Sequence, residues 1–142
     1  MDKNDFKKTL STCLSEFGFY KFKTWYCLNY PELFICLKAI KSYYSETFYL
    51  DYGIFLKKCQ NYNKYKTLSP HEAQIRSRVG YCEYENIDEN TYKNILKRQL
   101  EDEFGNLKTG GEAALRKKIR NNPSDFVLIM PIEERRKWNP RW

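Results

Sequence analysis

The segment TFYLDYGIFLK, residues 47–57, decides the fold. Phe48, Leu50, Tyr52, Ile54 and Leu56 occupy one parity, and Thr47, Tyr49, Asp51, Gly53 and Lys57 occupy the other together with Phe55. A period of two over this length predicts a strand with one face on a core. Upstream, residues 42–46 form a short connection to 33–41, where Leu33, Ile35, Leu37 and Ala39 alternate with Phe34, Cys36, Lys38 and Ile40. Tyr30-Pro31-Glu32 breaks the chain as a turn does, and residues 19–30 read as an aromatic-rich strand. Downstream, residues 60–70 are polar and aperiodic, which predicts a loop. Residues 73–84 read as one more strand, weakest at Gly80. Strands joined in succession by short turns predict an antiparallel meander.

Helical spacing flanks this block. Phe6, Leu10, Cys13, Leu14 and Phe17 fall on one face of a helix over 5–17, with Asn4 or Asp5 as its cap and Gly18 at its end. Residues 88–104 repeat the pattern with Tyr92, Ile95, Leu96, Gln99, Leu100 and Phe104. Thr109 and Glu112 have capping-box spacing before a short helix to Arg120. Residues 126–130 form a short apolar run, and 131–138 a last helical turn. The predicted class is α+β in two layers: an N-terminal helix, a β-meander, and C-terminal helices on one sheet face. All 142 residues form one domain, with a core over about 5–84 and a helical part over about 86–138.

The composition bounds the function. Aromatic residues make up 17% of the chain, which excludes a disordered class. Lys+Arg less Asp+Glu is 25 − 18 = +7, the sequence pI is about 9.1, and the mean hydropathy is −0.77. A spread-out basic excess fits a polyanion partner, but the Lys, Asn and Tyr usage of AT-rich genomes accounts for it first. The five cysteines include no C-x-x-C pair and read as reduced, buried thiols. No apolar leader follows residues 1–5 and no run approaches the ~20 residues of a membrane span. A cytoplasmic protein with no membrane partner is expected.

No catalytic set emerges. His71 is the only histidine, no G-x-S-x-G or P-loop is present, and no ligand spacing suits zinc. No cofactor and no metal are expected. The better candidates are basic. Arg76 and Arg78 stand two apart in a predicted strand, so both point to one face, where two guanidiniums suit a phosphate or carboxylate. Surface arginines paired with neighbouring acids give the same pattern. Lys57, Lys58, Lys64 and Lys66 accompany Tyr62 and Tyr65, with no acid between Asp51 and Glu72. That interleaving suits a single-stranded backbone, and a solvated loop shares it. Trp138 and Trp142, beside Arg136 and Arg141, suit either a docking surface or a tail folded on the core.

Several stretches resemble the domain-of-unknown-function 4304 family, small bacterial proteins without an established activity. They are Phe6-Lys7-Lys8-x-Leu10, Leu14-x-x-x-Gly18-Phe19-x-Lys21, Trp25-Tyr26, the run 33–41, Tyr49-Leu50-Asp51-Tyr52-Gly53-Ile54, and Ile75-Arg76-Ser77-Arg78-Val79. The family commonly places Cys-His directly before Ile-Arg, where this chain has Ala73-Gln74. The resemblance covers about 5–84, implies an α+β fold, and leaves function open. The expectation is a non-enzymatic binding or interaction protein, of the kind found in bacterial or phage conflict systems as immunity or counter-defence proteins. The alternative is a nucleic-acid or nucleotide-phosphate binder using the basic face. An enzyme of unknown class ranks third.

Overall fold

A computed structural model describes residues 1–58 and 72–138. Helix α1 (Lys3–Phe17) leads into strands β1 (Tyr20–Phe22), β2 (Trp25–Asn29), β3 (Leu33–Lys41), β4 (Thr47–Leu56) and β5 (Ile75–Glu83). Helices α2 (Glu89–Phe104) and α3 (Leu107–Asn121), strand β6 (Val127–Leu128) and helix α4 (Ile132–Trp138) follow. The six strands form one antiparallel sheet in chain order, β1-β2-β3-β4-β5-β6. This is the predicted α+β meander.

Register sets the two sheet faces. Leu33, Ile35 and Leu37 lie opposite Leu56, Ile54 and Tyr52, and this parity packs with Phe6, Leu10 and Leu14 of α1 and Leu96, Leu100 and Phe104 of α2. Phe6 is fully buried and its ring stacks on Phe48 at 4.5 Å, with Tyr92 at 5.4 Å and Tyr84 at 6.0 Å. Burial of such a side chain contributes about 1.5–3 kcal/mol. The opposite parity builds a smaller buried cluster of Trp25, Cys27, Phe34, Cys36, Phe55 and Ala73. Phe55, which shares its parity with polar residues, therefore has an apolar site of its own. Cys13, Cys27, Cys36 and Cys82 are buried thiols, and Cys59 lies outside the described residues.

Three local features refine the sequence reading. Residues 19–30 are not one strand: β1 and β2 form a hairpin in which Phe22 pairs with Trp25. Its two-residue loop is Lys23-Thr24, and Lys23 takes φ 55°, as the first loop position of a primed turn requires. In β5, Gly80 pairs with Leu50 and Arg78 with Asp51, so Val79 is an extra, bulged residue. The bulge switches parity, and Arg76, Arg78 and Tyr81 all come to the face away from the helices. Gly80 then faces α2, where a Cβ would stand 2.9 Å from Gln99 Nε2.

The third feature is the start of α3. No side chain caps its first turn, and the helix kinks at Gly111 (φ 55°, ψ −140°). Thr109 is therefore not the cap that the capping-box spacing predicts. After the kink, the Glu112 N–H donates to Glu32 Oε2 at 3.4 Å, so the β2–β3 turn supplies the carboxylate. Asp88, by contrast, caps α2 with a local side chain, accepting from the Thr91 N–H at 3.2 Å.

Candidate functional site

Arg76 and Arg78 do share a face, and both line a shallow cavity of about 310 Å³ with Lys38, Asp51 and Asp125. Arg78 is committed: its Nε donates to Asp51 Oδ1 at 2.6 Å, and its guanidinium lies 4.3 Å from the Tyr49 ring centroid. The hydrogen bond to Asp51 holds this guanidinium even more firmly protonated than usual. Arg76 Nε donates to the Ala73 carbonyl at 3.2 Å. With Asp51 and Asp125 in its wall, this cavity offers an anion little excess positive charge. Directly before the arginines, Gln74 closes the sheet: its Oε1 accepts from the Leu56 N–H and its carbonyl from the Ile129 N–H.

The other predicted residues disperse. Lys57 Nζ donates to Asn29 Oδ1. Lys58 pairs with Glu112 at 2.6 Å, and Arg116 meets the same carboxylate at 2.9 Å. Trp138, expected at an interface or folded back on the core, is fully buried. The Arg116 guanidinium covers its ring at 4.7 Å, which pins α4 to α3. Tyr62, Lys64, Tyr65, Lys66, His71 and Trp142 lie outside the described residues.

The Lys58–Glu112–Arg116 cluster makes a pH prediction. Burial pushes the Glu112 carboxyl up, but Lys58 and Arg116 outweigh it and leave it below its ordinary 4.5. A carboxyl held low in the fold stabilises above its unfolded value and loses that contribution as pH falls through the folded one. Stability should therefore drop on acidification below about pH 4.5. In urea titrations Glu112→Gln should flatten that drop by up to about 1 kcal/mol; an unchanged pH profile would remove the cluster from the account.

A second concavity was not legible in the sequence. Lys3, Lys7 and Lys8 of α1, Lys21 of β1, and Lys38 and Lys41 of β3 line a groove of about 580 Å³ whose floor includes Tyr26, Ala39 and Phe48. Register explains its origin. The last β2–β3 pair toward this end is Tyr26 with Leu37, so residues 38–41 of β3 run on without a β2 neighbour and leave a notch beside α1. Lys3, Lys7 and Ser11 succeed one another at i, i+4 and i+8, a row of about 12 Å along the helix. No carboxylate lines the groove, though Lys38 is shared with the first cavity, where it lies opposite Asp51 in the β3–β4 register. Of its six lysines, only Lys41 has an ion pair among the described residues, with Glu46 at 3.5 Å.

This concentration of charge works against the fold. Like charges at i, i+4, such as Lys3 and Lys7, repel by about 0.2–0.5 kcal/mol, and cations near a helix N-terminus oppose its dipole. The same field that makes the lysines unfavourable to one another makes the groove attractive to an anion. Among the described residues, no group of three or more His, Cys, Asp or Glu side chains is placed to hold a metal ion, and no helix is long and apolar enough to cross a membrane.

No curated protein and no solved structure matches the chain. A family model does: Domain of unknown function (DUF4304), over residues 10–107. That span runs from within α1 through the whole of α2, past residue 84 where the motifs end, and takes in Lys21, Lys38 and Lys41 of the groove but not Lys3, Lys7 or Lys8. It exceeds half of the 142 residues, and with the motifs described above it establishes that the chain belongs to the DUF4304 family.

Proposed function

We propose that this chain is a binding protein for a phosphate-bearing polyanion, held in the groove between α1 and the β1–β3 end of the sheet. The observation that carries the reading is the convergence there of Lys3, Lys7, Lys8, Lys21, Lys38 and Lys41 with no carboxylate in the lining. It moves the anion site away from Arg76 and Arg78, whose surroundings include Asp51 and Asp125. The interaction-protein reading retains a different surface: Val127, Ile129 and Ile132 are exposed around β6 and the start of α4.

The test is fluorescence anisotropy with a labelled oligonucleotide at about 50 and 200 mM salt. With about four phosphates engaged, affinity should fall about 50-fold across that range, the counterion-release slope for a single strand. Lys7→Glu/Lys8→Glu should weaken binding at least tenfold and flatten the salt dependence. Lys117→Glu/Lys137→Glu, with the same change in net charge on a distant surface, should leave binding near wild type. Equal losses in the two variants would reduce the groove to a share of the overall charge.

A further inference from the structure

We infer that the polyanion is single-stranded nucleic acid, and that Tyr43 and Tyr44 at the β3–β4 hairpin tip stack on its bases while the adjacent lysines hold its phosphates. The inference rests on the polyanion reading of the groove and adds the class of ligand.

Tyr43 is 100% exposed and Tyr44 98%. Among the described large apolar side chains no other stands so far into solvent, so neither ring serves the core. Tyrosine is a rigid, two-faced ring with a polar tip, suited to contact across an interface. Two in succession at a hairpin apex present aromatic faces to whatever lies beside the loop.

The loop that carries them is itself built. The Ser42 N–H donates to the Thr47 carbonyl at 2.8 Å, and the Tyr44 N–H to Ser42 Oγ at 3.2 Å. Ser45 Oγ lies 2.9 Å from Thr47 Oγ1. Lys41 Nζ reaches back to the Ser45 carbonyl at 3.2 Å. The same Lys41 lines the groove, so one side chain joins the lysine row to the aromatic tip.

The carboxylate that meets Lys41 at this junction is already occupied. Glu46 accepts from the Tyr84 hydroxyl and pairs with Lys41. Tyr84, Lys41 and Lys3 all favour its ionised form, which places the field of Lys3 at the base of the hairpin as well. Clustered cations with aromatic faces at one end are the arrangement that recognises unpaired bases on a phosphate backbone. A duplex keeps its bases stacked inside and offers these rings no face.

Three probes separate the claims: a fluorescent dT oligonucleotide, a duplex of equal length, and inorganic polyphosphate as charge without bases. The wild type should bind the single strand at least tenfold more tightly than the duplex. Tyr43→Ala/Tyr44→Ala removes two exposed rings and should lower single-strand affinity at least about 30-fold, the lower limit for two lost base stacks. Its polyphosphate affinity and salt dependence should stay unchanged, and Tyr43→Phe/Tyr44→Phe should bind as wild type does. A double alanine variant that binds the single strand normally, or a wild type that prefers the duplex, overturns the stacking inference while polyphosphate binding keeps the groove. Failure of the wild type to bind either polyphosphate or the oligonucleotide overturns the groove reading itself.

Discussion

Phe6→Ala is expected to cost about 3–5 kcal/mol, the range for emptying a buried phenylalanine site, and to lower the thermal midpoint by about 10–20 °C in a chain of this size. Phe6 is where α1, the sheet and α2 meet: its ring stacks on Phe48 of β4 and packs against Tyr92 of α2 and against Tyr84. All four rings are buried, so none can swing outward to fill the space without leaving its own contacts. Aromatic pairs in such arrangements contribute about 0.5–1.5 kcal/mol beyond their buried area. Urea unfolding measures the loss directly, read as a lower midpoint at constant slope. A loss below about 1 kcal/mol, typical of a surface substitution, would mean that α1 is not anchored through this ring. Phe6→Leu should retain most of the stability, as volume-sparing apolar exchanges do.

Gly111→Ala should follow closely, at about 2–4 kcal/mol, combining a backbone conformation foreign to side chains with the loss of a helix cap. At φ 55° and ψ −140° the position suits glycine alone, and a Cβ there would clash with the Glu32 carboxylate. The carboxylate must move, and its hydrogen bond from the Glu112 N–H goes with it. A double-mutant cycle separates the two causes. In a Glu32→Ala background the clash and the cap are already gone, so Gly111→Ala should cost only the backbone strain. Full additivity of the two substitutions would show that Glu32 and Gly111 act independently and that Gly111→Ala leaves the cap in place.

The same pair shows why the kink escapes a reading of the chain alone. Thr109 and Glu112 satisfy the local capping pattern, but the carboxylate that meets the helix comes from Glu32, far away in sequence. The first hairpin was missed for a related reason. Lys23-Thr24 has none of the glycine, asparagine or aspartate that announce a tight loop, and the left-handed conformation falls on a lysine. Strands β3 and β4 were legible because one face is continuously apolar, and α2 because Tyr92, Leu96, Leu100 and Phe104 recur at helical spacing. At the site, a spacing of two placed Arg76 and Arg78 on a common face. That Arg78 would meet Asp51 depends on the β4–β5 register, and that register depends on the bulge at Val79. The lysine groove is the extreme case: its six cations come from residues 3 to 41 in three elements, and no window of sequence contains the cluster.

That bulge also bears on self-assembly. Among the described residues β6 pairs only with Ile75 and Arg76, and no described strand pairs with the rest of β5 on that side. A straight rim there would present an unbroken ladder of amide donors and carbonyl acceptors to any extended segment from another molecule. Val79 interrupts the ladder midway, and Arg78 beside it is charged. An incoming strand that matched the register on one side of the bulge would be out of step on the other, with its apolar residues turned to water. Amyloid-like growth along this rim is thereby disfavoured in the native state.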